Sequence, residues 1–236
     1  MNILLDLDGT LTDPRVGIVE SLKFALSRLG EPCPSDDDLA RFIGPPLQST
    51  LGAIFGHRSP KIGVAIDLYR QRFSEKGMFE NNVYPGIPAA LDALAAVGAV
   101  LIVATSKPEA FAQRIIEHFG LGKHIHAIYG SELDGTRSDK SELISHVLKA
   151  QGLSPSSTTM IGDRSHDMIG AKAHGVFGVG ALWGYGSREE LLAAGASALC
   201  EGPAHILDVL SSNSRLEDDA IFPALRASAR APHRGR

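Results

Sequence analysis

Cysteine is scarce. Two residues, Cys33 and Cys200, stand far apart in a chain of 236. A disulfide framework is therefore excluded as the source of stability, and a reducing compartment fits. Long apolar runs are also missing: no stretch reaches the length that spans a bilayer, and the first residues lack the basic segment that opens a secretory signal. The expectation is a soluble cytoplasmic protein with no membrane partner. Nor is there an excess of positive charge. Lys and Arg number 23 against 27 Asp and Glu, a formal net charge of -4, which argues against a nucleic-acid partner. The one basic cluster, Arg226, Arg230, Arg234 and Arg236, has little apolar company and reads as a solvated, flexible tail over 211–236. What the chain does have is 44% apolar residues, enough to bury one large core and a small second module. Whether it is a monomer or a homodimer is left open.

The most informative stretch is Asp6-Leu7-Asp8-Gly9-Thr10, directly after Ile3-Leu4-Leu5. Residues i and i+2 of a strand share a face, so both carboxylates point into one place. Two like charges at the end of a buried strand require a cation, a shared proton or water. Gly9 permits a sharp turn and lets backbone amides approach a ligand. The pattern describes a metal-and-phosphate site at a strand tip.

After the first strand, residues 2–7, Asp13-Pro14 breaks the pattern, and the next seventy residues read as helices. Ile18, Leu22, Ala25, Leu26 and Leu29 form one helical stripe closed by Gly30; residues 36–42, 47–55 and 61–76 are three more helices, around a rigid Gly44-Pro45-Pro46 turn. Tyr84-Pro85-Gly86 then opens a strand–helix alternation. Its strands are 99–104, 125–129, 158–161 and 176–179, and its helices include 87–97, 108–119 (with Ser106 and Glu109 at capping-box spacing), 139–150 and 203–210. Alternation at this spacing implies a Rossmann-like parallel α/β sheet with helices on both faces. The helical block cannot join that sheet. The expected organisation is a core of 1–13 and 83–210, with an all-helical cap of 14–82 over the strand ends.

Ligands of parallel sheets gather at the carboxyl ends of the strands. Asp6, Asp8, Thr105, Ser106 and Asp163 fall at such ends, and Lys140 and Asp167 fall in the first turns of helices on the same rim. The acids can share a divalent cation through oxygen, as Mg2+ prefers. The hydroxyls, the Lys140 ammonium and helix amino-termini can hold phosphate oxygens. A carboxylate beside a second carboxylate, a metal and phosphate donors suits phosphoryl transfer through an aspartyl phosphate.

Asp6-Leu7-Asp8-Gly9-Thr10, Thr105 after its apolar strand, Lys140, and Gly162-Asp163-Arg164-Ser165-His166-Asp167 resemble the four motifs of the haloacid dehalogenase superfamily, phosphatase branch. The helical insert between the first two resembles members with a helical cap. Tyr84-Pro85-Gly86, Thr105-Ser106-Lys107-Pro108 and Ser131-Glu132-Leu133-Asp134-Gly135-Thr136-Arg137 are most similar to phosphoglycolate-phosphatase-like and 5'-nucleotidase-like members. The resemblance implies that Asp6 attacks phosphorus, and that Asp8 protonates the leaving alcohol and then activates water. It implies that Asp6, the Asp8 backbone carbonyl and Asp163 hold Mg2+, with Asp167 a ligand or a group orienting one. Thr105 and Lys140 would stabilise the transferring phosphoryl group, with the cap excluding water and reading a small phosphoester.

Plainer readings compete at several positions. Glu132-Leu133-Asp134-Gly135-Thr136 repeats the acid spacing, but Gly130-Ser131 parts it from its strand, so it reads as a loop with an Asp-Gly turn. Lys107 rivals Lys140. His124 and His126 alternate on a strand without a third ligand and read as no metal pair. For the substrate, phosphoglycolate is preferred, with Arg41 as the cation for its carboxylate; the alternative is a nucleoside monophosphate on Phe42 or Phe55. A sugar phosphomutase, a dehalogenase and a non-enzymatic phosphometabolite-binding module are the remaining rivals.

Overall fold

The computed structural model describes residues 1–212, so the arginine-bearing tail, Arg226 to Arg236, lies outside the described residues. Strand β1 (Asn2–Leu5) is the centre of a six-stranded parallel sheet ordered β5-β4-β1-β6-β7-β8, with β4 (Val100–Pro108), β5 (Ile125–Ser131), β6 (Thr158–Gly162), β7 (Phe177–Ala181) and β8 (Ala198–Cys200). The chain leaves β1 to build β4 and β5 on one side, then returns to build β6, β7 and β8 on the other. β1 therefore borders the point where the winding reverses, where an open sheet of this kind forms its crevice.

Period-two alternation decides what each face buries. Leu4, Ile102, Ala104 and Met160 pack with Leu143, Ile144 and Val147 of α7 (Lys140–Gln151) and Ala171 of α8 (Ser165–Ala173). Ile3, Leu5, Leu101, Val103 and Ile161 belong to the other cluster, with Leu91 and Leu94 of α5 (Ile87–Ala96), Ile115 and Ile116 of α6 (Glu109–His118), and Ile206 and Leu210 of α10 (Ile206–Ser211). Each of these buried Leu, Ile, Val and Met side chains contributes about 2 kcal/mol by leaving water. α9 (Arg188–Ala193) completes the core helices, with Ser187 accepting the Glu190 amide at its start.

Between β1 and α5 the chain makes an excursion that adds no strand to this sheet. A two-stranded antiparallel pair, β2 (Thr12–Asp13) and β3 (Asn82–Val83), binds its exit to its return. Within the excursion, α1 (Arg15–Arg28) packs on α4 (Lys61–Arg72), while α2 (Asp36–Ala40) and α3 (Leu47–Phe55) complete the bundle. α4 ends in a wide π turn over Phe73–Gly77, held by the Arg72–Glu80 pair at 2.7 and 3.0 Å.

Several expectations are corrected. β4 runs on to Pro108 instead of ending at 104, because Pro108 pairs with Ser131 beyond a register shift. Ser106 and Glu109 consequently form no capping box: α6 begins on Pro108 with no side-chain cap, the Ser106 carbonyl accepts from Ser131 Oγ, and Glu109 accepts from the Gly130 amide. β5 extends through Gly130 and Ser131, so the Glu132-Leu133-Asp134 turn follows its strand directly. β2, β3 and β8 were not expected; strands of two or three residues carry no readable period.

Candidate active site

Asp6 and Asp8 leave the end of β1 and are both buried. The turn after them needs Gly9: its φ is +84°, and a Cβ there would stand 2.1 Å from Asp163 Oδ2. Asp163, fully buried after β6, accepts from Thr10 Oγ1 at 3.3 Å and from the Tyr185 amide at 2.8 Å. Asp167 lies in the first turn of α8, where its Oδ2 accepts the Arg164 amide at 3.1 Å. Lys140 opens α7, whose first turn is capped by Asp139. Its Nζ stands 2.9 Å from Asp6 Oδ1 and 2.8 Å from Asp167 Oδ1, and donates to the Ala104 carbonyl at 2.9 Å.

Lys107 occupies a different place from Lys140. Its Nζ is 2.7 Å from Asp8 Oδ2 and lies 4.4 Å from the ring centroid of Phe73, at the end of α4. Thr105 is buried, its Oγ1 accepting the Lys107 amide at 3.3 Å; Ser106 is half-buried and lines the neighbouring cleft. Arg41 is not brought in. Its side chain is 79% exposed, with Nη1 3.6 Å from Asp38 Oδ1 one helical turn away. It lines no part of the cleft.

The electrostatics are costly. Burial pushes the Asp8 carboxyl up and Asp6 adds to this, against the pull of Lys107. Burial, then Asp167 and Asp6, push Asp163 well above the usual carboxylate range. Burial and Asp6 push Asp167 up to about 6 in spite of Lys140. Burial works against the Lys140 charge, but Asp167 and Asp6 outweigh it and hold the ammonium above its ordinary value.

A divalent metal fits this arrangement. Asp6, Asp163 and Asp167 each offer a carboxylate oxygen, all within 4.8 Å of one another. Asp6 Oδ1, Asp8 Oδ1 and Asp167 Oδ1 are buried without a hydrogen bond of good geometry. Four buried carboxylates face two ammoniums, a formal excess of two negative charges that one divalent cation cancels. An all-oxygen set suits Mg2+. The Asp8 carboxylate is outside the three, drawn instead to Lys107.

A cleft of about 240 Å3 opens from Asp8 and Lys107 between the helical insert and the core. Ile18, Leu22, Phe42, Tyr69, Phe73 and Phe111 give it apolar walls, and Leu133 and Asp134 stand at its exposed side. Asp134 accepts the Thr136 amide in an Asx turn, so the repeated acid motif is a turn that also walls the cleft. Sequence reasoning missed the loop after β7. There Trp183 Nε1 donates to the Thr10 carbonyl, Tyr185 OH donates to Asp13, and Gly184 lies so close that a Cβ would stand 2.3 Å from the Asp163 Cβ. The glycines at 184 and 186, bracketing one aromatic residue, were the available signal.

Among the described residues no helix is long and apolar enough to cross a membrane. Residues 3–181 match the family described as haloacid dehalogenase-like hydrolase. A 5'-nucleotidase from Pseudomonas aeruginosa is 48% identical over 212 residues, 90% of this chain and 96% of that one. Tyrosine-protein kinase PtkA from Mycobacterium tuberculosis is 42% identical over 185 residues, 78% of this chain and 62% of that one. The crystal structure of a predicted phosphatase from Clostridium acetobutylicum superposes with a TM-score of 0.84 at 40% identity, covering 88% of this chain and 98% of that one. The chain belongs to the haloacid dehalogenase-like hydrolase family, in its phosphatase branch.

Proposed function

We propose that the chain hydrolyses nucleoside 5'-monophosphates, using Mg2+ and a phosphoryl group carried on Asp6. One observation carries the reading: two buried carboxylates, Asp6 and Asp8, stand with Lys140 and Lys107 at the head of an apolar cleft walled by aromatic rings. Asp6, Asp163, Asp167 and the Asp8 backbone carbonyl would hold the metal, whose charge offsets that of the phosphate and of the acids around it. The Asp6 carboxylate attacks phosphorus in line, and the bond from phosphorus to the leaving oxygen breaks. Asp8, whose raised pKa suits it to carry a proton, gives that proton to the leaving alkoxide. It then takes a proton from the water that attacks phosphorus and frees Asp6. Lys140 and Thr105 stabilise the transferring group. The helical insert acts as a cap that excludes water and holds the leaving group.

The lining of the cleft favours a nucleotide over phosphoglycolate. A planar base finds apolar walls and rings to stack on. Phosphoglycolate needs a free cation for its second acid. Lys107 is engaged by Asp8 and Phe73 and Arg41 lies outside, so a second acid would depend on Arg70 alone, which lines the cleft with Nη2 donating to the neutral Leu133 carbonyl. The relative named 5'-nucleotidase supports the same choice. Transfer to a sugar phosphate, or to tyrosine as the name PtkA denotes, would leave no free phosphate.

The test is phosphate release with Mg2+ from nucleoside monophosphates, phosphoglycolate and sugar phosphates, each repeated in EDTA. We expect AMP or another nucleotide to exceed phosphoglycolate by at least about tenfold in kcat/KM, and EDTA to abolish release. Preference for phosphoglycolate overturns the substrate reading. Release from no ester overturns the hydrolase reading.

A further inference from the structure

We propose that Arg164 is a positioning residue that latches the cap onto the acid-bearing loop of the active site. Its backbone lies between Asp163 and Asp167, and its amide donates to Asp167 Oδ2 at 3.1 Å. Its side chain, only 15% exposed, turns the other way and reaches into the cap. Nη1 donates to the carbonyl of Ile43, a fully buried cap residue. The stem lies against Gly44, where φ is +107° and a Cβ would come within 2.8 Å of Arg164 Cγ. Glycine at 44 thus serves both the backbone turn and the fit against the arginine.

The guanidinium is aimed before it meets the cap. Nε donates to Glu190 Oε1 at 3.0 Å, and the Ser165 amide donates to the same oxygen at 2.8 Å. Glu190 lies on α9, in the core, so the Arg164–Glu190 pair survives when the cap lifts, whereas the bond to Ile43 breaks. A planar fork can serve Glu190 with one edge and a carbonyl with another; a lysine ammonium at the end of a flexible stem cannot hold both. The Gly44-Pro45-Pro46 turn that Arg164 grips also lines the cleft. Closure of that turn over a substrate is therefore tied, through one side chain, to the loop that carries Asp163 and Asp167. Loss of the latch lowers the closed fraction, and the apparent affinity falls by the same factor.

The test is hydrogen exchange by mass spectrometry on the full chain, comparing wild type with Arg164→Met, together with steady-state kinetics on the ester that wild type turns over fastest. We expect exchange in 40–50 to accelerate about tenfold while 158–175 is unchanged, and KM to rise about five- to tenfold with kcat within about twofold. The exchange arm needs neither metal nor substrate, so it stands apart from the functional reading. Unchanged exchange in 40–50 overturns the latch. Acceleration spread over 158–175 as well also overturns it, since Arg164 would then be a support of the loop alone. Where Arg164→Met does not fold, Arg164→Lys, which keeps the charge but cannot hold both Glu190 and the Ile43 carbonyl, must show the same confined acceleration, and its absence has the same meaning.

Discussion

Replacing Asp163 with asparagine should make the metal-free protein more stable while removing its response to Mg2+. Lys140 contacts Asp6 and Asp167 but not Asp163, so Asp163 feels two carboxylates without an ammonium of its own. The three ligand oxygens all lie within 4.8 Å of one another, and at that distance a like-charged pair costs about 3.5 kcal/mol at an effective dielectric of about 20. Two such pairs, relieved in part by Lys140, by counterions and by proton uptake, leave about 2 kcal/mol that asparagine recovers. Its carboxamide oxygen can still accept the Tyr185 amide, and its nitrogen can donate to Thr10 Oγ1. The effect has a definite pH dependence. Asp163 and Asp167 have folded-state pKa values above their unfolded ones, so the folded apoprotein binds the extra protons. The contribution of these two acids to apoprotein stability is therefore most favourable at low pH and is lost as pH rises above about 4, through about 6 for Asp167 and further for Asp163. The gain from Asp163→Asn should be smallest below about pH 4, the unfolded carboxylate range, and grow as pH rises above it. Urea unfolding in EDTA, followed by circular dichroism, measures it. A variant less stable than wild type at pH 8 would refute the charge argument.

Other outcomes follow from the same geometry. Asp8→Asn should lower kcat by about 10² to 10⁴ and let phosphorylated enzyme build up in quenched-flow samples, because the proton donor and base are lost but Asp6 remains. Gly184→Ala should cost about 1–3 kcal/mol in urea unfolding and weaken Mg2+ binding by calorimetry, since its Cβ would meet Asp163 and the Gly9 carbonyl at 2.3 and 2.4 Å. Wild-type protein at 100 times the Mg2+ dissociation constant should gain about 2.7 kcal/mol over protein in EDTA, with a higher melting temperature by scanning calorimetry.

How much of this was legible varies with the physics. Asp6 and Asp8 stand out because two acids directly after a short apolar strand have no structural excuse, and Ala99-Val100-Leu101-Ile102-Val103-Ala104 reads as a central strand because both its faces are covered. The end of β4 is not local information. It depends on pairing between Pro108 and Ser131, which also dissolves the Ser106–Glu109 capping box. Arg41 was chosen for its charge, but Asp38, three residues earlier, competes for that charge at the surface. Lys107 and Lys140 looked like alternatives because sequence gives one dimension; in space each serves a different carboxylate. The loop after β7 and the Arg164–Ile43 contact join residues more than a hundred positions apart, which no periodicity encodes.

The central claim is that Asp6 carries the phosphoryl group. Enzyme quenched in acid during turnover with Mg2+ and its best ester, then digested and weighed by mass spectrometry, tests it directly. The account predicts the mass of one phosphoryl group on the peptide containing Asp6, in greater amount for Asp8→Asn and absent for Asp6→Asn. Free phosphate released by Asp6→Asn at the wild-type rate, with the wild-type peptide unmodified, would contradict it.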